Sequence, residues 1–246
     1  MTTNFVFGLH AVIETITAGK EIEKLLIKKG LIGDLSKELM DLVQEHQIPY
    51  QLVPIEKINR VTRKNHQGVV AFISVIEYQQ IDNVLVSVFE KGETPLVLVL
   101  DGITDVRNIG AIARSALCAG VHAIVVPEKG SATITADAIK TSAGALLELP
   151  VCRVKNLFKT VEYLKNSGLS IVIASEKAFE PYYSCDFNLP LAIIMGSEDT
   201  GVDQQLVKMA DQKCLIPLQG PIKSLNVSVA AGIILFESVK QRAIVK

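Results

Sequence analysis

The stretch Leu191-Ala192-Ile193-Ile194-Met195-Gly196-Ser197-Glu198 decides the fold class. Five apolar residues in a row, with no polar alternation, mark a strand buried on both faces. Glycine and polar residues follow at once, so the strand hands over to a loop at its carboxyl end. The same handover recurs downstream at Cys214-Leu215-Ile216-Pro217-Leu218. Ser224-Leu225-Asn226-Val227-Ser228 then opens an apolar-periodic helix that runs to near Arg242. Working back from Leu191, apolar runs over 169–174, 149–154, 121–126 and 96–100 predict further strands. Between them, helical periodicity spans 157–165, 136–145 and 110–119, the last closed by Gly120. Strand and helix in alternation imply a mostly parallel sheet covered by helices on both faces.

Toward the N-terminus the elements are shorter. Residues 9–17 and 35–46 have helical period, and 24–27, 50–53 and 69–75 read as strands. Residues 76–94 are partly polar, with Ile81, Val84, Leu85, Val88 and Phe89 at helical spacing and a turn at Gly92-Glu93-Thr94-Pro95. The expected organisation is a small α/β domain over 1–76, a linker with one helix over 77–94, and a larger α/β domain over 95–246.

Composition narrows the function classes. Apolar residues make up 49% of the 246, enough for a real core. The formal net charge of −1 gives no global attraction to nucleic acid, so any such contact needs a local patch. Lys57, Arg60, Arg63, Lys64 and His66 form one, and Lys28-Lys29 a weaker second. No apolar run is long enough to span a bilayer, and Met1-Thr2-Thr3-Asn4 lacks signal-peptide order. Cys118, Cys152, Cys185 and Cys214 form no CxxC pair, which argues against zinc and for reduced thiols. The expectation is a cytoplasmic protein with no metal. Cys118, Cys152 and Cys214 lie in apolar segments and read as core; Cys185 lies in a polar loop and reads as exposed.

Familiar site signatures are missing. There is no GxxxxGK[ST], no GxGxxG after a strand, no GxSxG and no HExxH. What remains is a set of loops at strand ends. The first, Asp101-Gly102-Ile103-Thr104-Asp105-Val106-Arg107-Asn108-Ile109-Gly110, leads into a helix carrying Arg114. Asn108 reads as at or near that helix's N-cap, with Arg114 six residues on and on an adjoining face. The second is Gly196-Ser197-Glu198-Asp199-Thr200-Gly201, in which Ser197 or Asp199 also suits a helix cap. The third, Ser224 to Ser228, presents N–H groups at a helix start. Each loop alone has a bland reading as a cap or a turn.

Together and in this order, the three loops resemble the motifs of the SpoU (TrmH-like) RNA ribose 2′-O-methyltransferases. The resemblance covers about residues 96–241 and is specific, because SLNVS following IP at this spacing is unusual. Phe7-Gly8-Leu9-His10-Ala11-Val12 and Asn65-His66-Gln67-Gly68-Val69-Val70-Ala71 resemble the substrate-binding domain of the RlmB type, which is similar to ribosomal protein L30e. One departure is Val106, where many relatives carry proline.

The resemblance implies a sheet whose C-terminal chain forms a deep trefoil knot, preceded by an L30e-like domain. It implies S-adenosylmethionine as cofactor, held by Met195, Gly196, Ser197, Ile216, Leu218, Leu225 and Asn226, with Ser142 and Gly144 as a further wall. The implied catalytic set is Arg114, Asn108, Glu198, Ser224 and Asn226, with Arg114 positioning phosphate and stabilising developing alkoxide. Arg60, Arg63, Lys64, His66 and Arg107 would grip RNA. The implied reaction methylates a guanosine ribose of 23S rRNA, in a homodimer. A tRNA substrate and a non-catalytic RNA-binding role on the same scaffold are the alternatives.

Overall fold

The computed structural model describes residues 5–221 and 224–244. The chain divides into two compact units, the first ending at Glu77 and the second starting at Tyr78.

The first unit runs β1 (Phe5–Phe7), α1 (Leu9–Thr17), β2 (Ile22–Lys28), α2 (Asp34–Glu45), β3 (Tyr50–Val53), α3 (Ile55–Asn59) and β4 (Val69–Ile73). Its sheet has the order β1-β4-β2-β3, with β2 and β3 parallel and the other pairs antiparallel. The period of two is visible in the packing. Leu25, Ile27, Val69 and Ala71 join Val12, Ile16, Leu39 and Val43 of the two long helices in one core. Leu26 and Val70 face the other way and meet Ile58 of α3.

The second unit begins with α4 (Ile81–Glu90) and β5 (Leu96–Asp101). Then follow α5 (Val106–Cys118), β6 (Ala123–Pro127), α6 (Ala136–Thr141), α7 (Ala145–Glu148), β7 (Val151–Val154), α8 (Leu157–Asn166) and β8 (Ser170–Ala174). The chain closes with β9 (Glu180–Pro181), a 3-10 turn (Tyr182–Ser184), β10 (Leu191–Gly196), α9 (Gln204–Met209), β11 (Gln212–Leu215) and α10 (Val227–Ile244). All pairs in the seven-stranded sheet are parallel, in the order β7-β6-β5-β10-β8-β11-β9. Val97, Val99, Ile171, Ile173, Ala192 and Ile194 face α4, α8 and α9. The alternate residues of those strands point to the opposite face, where α5 and α10 pack together. The α/β class and the mostly parallel sheet are as the sequence implied. Residues 77–94, expected as a linker with one helix, hold α4, whose Val84, Leu85 and Val88 are buried in the second unit's core.

Two helix boundaries differ from expectation. Helix α5 starts at Val106, so Asn108 lies in its first turn, near the N-cap but not at it. Asp105 takes that role, its Oδ1 accepting from the Arg107 N–H at 2.7 Å. The apolar stripe explains the earlier start: Ile109, Ile112, Ala113 and Ala116 are all buried at helical spacing. The helix expected over 136–145 is two short helices. Ala143 and Gly144 take left-handed φ values of 51° and 89°, which interrupts the ladder. Close packing meets this corner at Gly110, where a Cβ would lie 2.7 Å from Ala138 O.

Candidate active site

The order of the sheet brings the end of β5 beside the end of β10, with Asp101 opposite Gly196. These are the carboxyl ends of adjacent strands whose chains leave in opposite directions across the sheet, the place where open α/β sheets bind ligands. Asp101 is fixed there, its Oδ2 accepting from the Asp203 N–H at 2.7 Å. Burial raises its pKa, against the lowering effect of that hydrogen bond. Asp203 itself caps α9, its Oδ1 accepting from Gln205 N, so neither Ser197 nor Asp199 is that cap. Ser197 instead closes its own turn. Its Oγ lies 2.7 Å from Thr200 Oγ1 and accepts from Thr200 N at 3.1 Å, while Gly201 N donates to Ser197 O. The turn folds back so tightly that a Cβ on Gly196 would sit 2.2 Å from Gly201 C and 2.3 Å from Val202 N. Only glycine fits.

The turn presents Glu198 to two other segments. Glu198 Oε1 accepts from Asn226 Nδ2 at 2.7 Å, Val227 N at 3.1 Å and Asn108 Nδ2 at 3.2 Å. Asn226 Nδ2 also donates to Asn108 Oδ1 at 3.0 Å. Asn226 caps α10, its Oδ1 accepting from Ser228 N at 2.9 Å and also from the Ser228 hydroxyl. One carboxylate oxygen and two amides thus join α5, the β10 turn and the start of α10, with each amide group oriented by its partners.

Beside this cluster lies a cavity of about 890 Å³, within the usual range for small-molecule sites. Met195, Gly196, Ser197, Glu198, Ile216, Leu218, Ser224 and Leu225 line it, together with Ala174 at the end of β8 and residues 175–180 after it. The last group was missed from sequence; the end of β8 is itself a strand-to-loop handover and was the available signal. Asn226 is outside the lining, in the cluster just described.

Several expected residues stand elsewhere. Ser142 and Gly144 are not part of the cavity wall. Ser142 is buried, its Oγ donating to Ile139 O and accepting from Leu146 N to hold the corner between α6 and α7. Arg114 is exposed on α5 with no hydrogen bond or ion pair among the described residues, so it does not join the Glu198 cluster of its own chain. Arg107 is exposed and lies 3.5 Å from Asp105. Its backbone N–H holds the Asp105 carboxyl below the usual carboxylate range.

In the first unit Arg60, Arg63 and Lys64 are exposed, and Lys64 Nζ sits 5.9 Å from the centre of the Phe7 ring. His66 differs, being buried with both ring nitrogens used. Nδ1 accepts from Gly68 N at 3.0 Å, which assigns the proton to Nε2, 2.8 Å from Asn59 Oδ1. It braces the turn before β4 and offers no free edge to RNA.

Two cysteines are reversed from expectation. Cys118 is exposed, because it lies on the far side of α5 from the buried Ala116. Cys185 is buried, because Gln241 and Arg242 of α10 fasten its loop. Gln241 Nε2 donates to Cys185 O at 3.1 Å and Arg242 Nε to Phe187 O at 3.0 Å. Burial pushes the Cys214 and Cys152 thiols up to about 12, marking both as inert packing residues. Among the described residues no three His, Cys, Asp or Glu side chains gather as a metal group, and no helix is long and apolar enough to cross a membrane.

Comparison with known proteins agrees with this geometry. Residues 95–236 match the SpoU rRNA Methylase family, and residues 5–79 match the RNA 2′-O ribose methyltransferase substrate binding family. The chain is 34% identical over 239 residues to the putative TrmH family tRNA/rRNA methyltransferase YacO of Bacillus subtilis, covering 97% of this chain and 96% of that one. It is 35% identical over 242 residues to a putative TrmH family tRNA/rRNA methyltransferase of Staphylococcus aureus, covering 98% of each. The fold is similar to that of the SpoU methyltransferase AviRb from Streptomyces viridochromogenes, solved with AdoMet (TM-score 0.63, 24% identity, 98% of this chain and 90% of that one). A TrmH/SpoU tRNA modifying enzyme from A. aeolicus is 29% identical, with a TM-score of 0.56 over 66% of this chain and 84% of that one. Domain matches that cover both units, and relatives that align from end to end, show that the chain belongs to the SpoU (TrmH-like) family of RNA methyltransferases.

Proposed function

We propose that this chain uses S-adenosylmethionine to methylate a ribose 2′-hydroxyl of RNA, on a guanosine of 23S rRNA, in the cytoplasm and as a homodimer. The observation that carries the reading is the joined cluster of Asn108, Glu198 and Asn226 at the edge of a cavity of about 890 Å³. The cavity suits the cofactor in size and chemistry, with apolar Met195, Ile216, Leu218 and Leu225 among backbone groups of the strand-end loops. These residues, with Gly196 and Ser197, would hold it. The chemistry supplied there when it is bound is an electrophilic methyl carbon on a sulfonium.

The protein's own part is to place a poor nucleophile and stabilise its developing charge. Glu198 acts as an orienting group through Oε1, which already has three donors. Asn108 and Asn226, held rigid by it, and Ser224 at the cavity rim fix the ribose. The guanidinium of Arg114 is a delocalised cation that only donates hydrogen bonds. It therefore acts as a fixed charge that draws in the adjacent phosphate and stabilises alkoxide. Its exposed position on α5, without a partner among the described residues, supports a role completed by bound RNA or by a second subunit. Exposed Val229 and Phe236 on α10 and Leu117 on α5 support the dimer.

The N-terminal domain, taken as residues 1–76, would bring Arg60, Arg63 and Lys64 to the RNA. Labelled cofactor offered with 23S rRNA hairpins and tRNAs tests the whole reading. The expected label is on the 2′-oxygen of one hairpin guanosine. Label confined to tRNA would move the substrate, and label on a base or none at all would overturn the reaction.

A further inference from the structure

The loop leaving the carboxyl end of β8, residues 175–179, forms one wall of the cavity. Its backbone is tied down. Ser175 N donates to Cys214 O at 2.9 Å, Ala178 N to Ser175 O at 3.1 Å and Lys177 N to Ser175 Oγ at 3.2 Å. Glu180 and Pro181 then pair with β11 as strand β9. On this held turn stands Phe179, 96% exposed, the most exposed of the large apolar side chains described. A single apolar residue on a surface needs no explanation. Phe179 differs because it faces a cavity from a backbone that is already fixed, so a ligand can bury it at little cost in loop ordering.

Its place in the sheet says which ligand part it meets. Strand β10 separates β8 from β5. Phe179 therefore stands on the β8 side of the cavity, across β10 from Asn108 on the helix after β5. The reacting end of the site is at the Asn108 cluster, and the opposite wall takes what does not react. We infer that Phe179 is a cofactor-contacting residue whose ring packs on the adenosine end of S-adenosylmethionine. A flat heteroaromatic ligand and a free phenyl face are complementary in shape and in loss of hydration. This rests on the reading above that the cavity holds S-adenosylmethionine.

The chain contains no tryptophan, so Phe179→Trp gives a full-length protein with a single indole reporter at the site. Calorimetry on the unaltered protein comes first. If S-adenosylmethionine does not bind, the cofactor reading fails and this inference with it. If it binds, the Phe179→Trp emission is expected to shift to the blue and to saturate along the same binding curve. Phe179→Ala is expected to raise the Kd for S-adenosylmethionine by roughly tenfold, the scale of burying much of one phenyl ring. Its kcat at saturating cofactor is expected to stay within about twofold, because the ring is remote from the charge that develops. Emission that ignores bound cofactor, or a Phe179→Ala affinity equal to the unaltered protein's, would overturn the inference while leaving the cofactor reading intact. Emission that responds only to an RNA hairpin would assign Phe179 to the substrate instead.

Discussion

Glu198 Oε1 ties together all three segments of the site, accepting from Asn108, Asn226 and Val227. Its surroundings are exposed enough for water to replace it in the free protein. Glu198→Ala is therefore expected to lower the Tm by only about 2–4 °C, the scale of a loss of ~1 kcal/mol in a chain of this size. The orientation of both amides is lost with it, so single-turnover methylation is expected to fall by about 10²-fold or more. A rate within a few-fold of the original would show that the cluster is only structural. Arg114 poses a cleaner case, since it has no partner to abandon among the described residues. Arg114→Ala is expected to leave the Tm unchanged, with a stability change within about 0.5 kcal/mol, and to cut the methylation rate by ~10²–10³. An unchanged rate would remove Arg114 from the reaction. The resemblance of the loop motifs, not residue type, pointed to both side chains. It could not separate Ser142 and His66, polar residues of the same kinds, from the site, because those are consumed by local turns.

At the scale of elements, the turn after β10 depends on the absence of one carbon. Gly196→Ala would force backbone atoms of Gly201 and Val202 apart from 2.2–2.3 Å contacts. Backbone cannot rotate away as a side-chain tip can, so the expected loss is about 3 kcal/mol or more in urea unfolding. Near-normal stability would mean that the turn is free to open. A second junction titrates. Asp211 links α8 to β8, its Oδ1 lying 2.6 Å from Lys165 Nζ and its Oδ2 accepting from Ile171 N at 2.9 Å. Burial would raise its pKa, but the Lys165 hydrogen bond, the Ile171 N–H and the Lys165 charge together lower it. A depressed folded pKa gives stability that is present above the unfolded value near 4 and is lost as pH falls through the folded one. The Tm is thus expected to fall more steeply from about pH 5 to pH 3 than in Asp211→Asn, and parallel melting curves would refute it. Element types were legible because their periods are local. The boundaries at Asp105 and at Ala143-Gly144 were not, since each turned on a competition between a cap and a neighbouring turn.

At the scale of the whole molecule, a chain of net charge −1 has to bind a polyanion through charges gathered in one place. Arg60, Arg63 and Lys64 are exposed together in the first unit. Replacing all three by alanine is expected to reduce the slope of log Kobs against log salt for RNA by about 2–3, from counterion release. S-adenosylmethionine affinity, a property of the second unit, is expected not to change. An unaltered salt slope would put the RNA grip elsewhere.

Much was settled by local chemistry before any folding was seen. Uninterrupted apolar runs ending in glycine and polar residues require buried parallel strands with loops at their carboxyl ends, and the resemblance of those loops to the SpoU motifs named Asn108, Glu198 and Asn226. That these three share hydrogen bonds across 28, 90 and 118 residues came only from the strand order β5-β10-β8. The same order set Phe179 facing a cavity, buried Cys185 beneath α10 and left Arg114 outside the cluster. A period reports which face of an element is apolar. It carries nothing about which distant element will lie beside it, and a site built between elements depends on that.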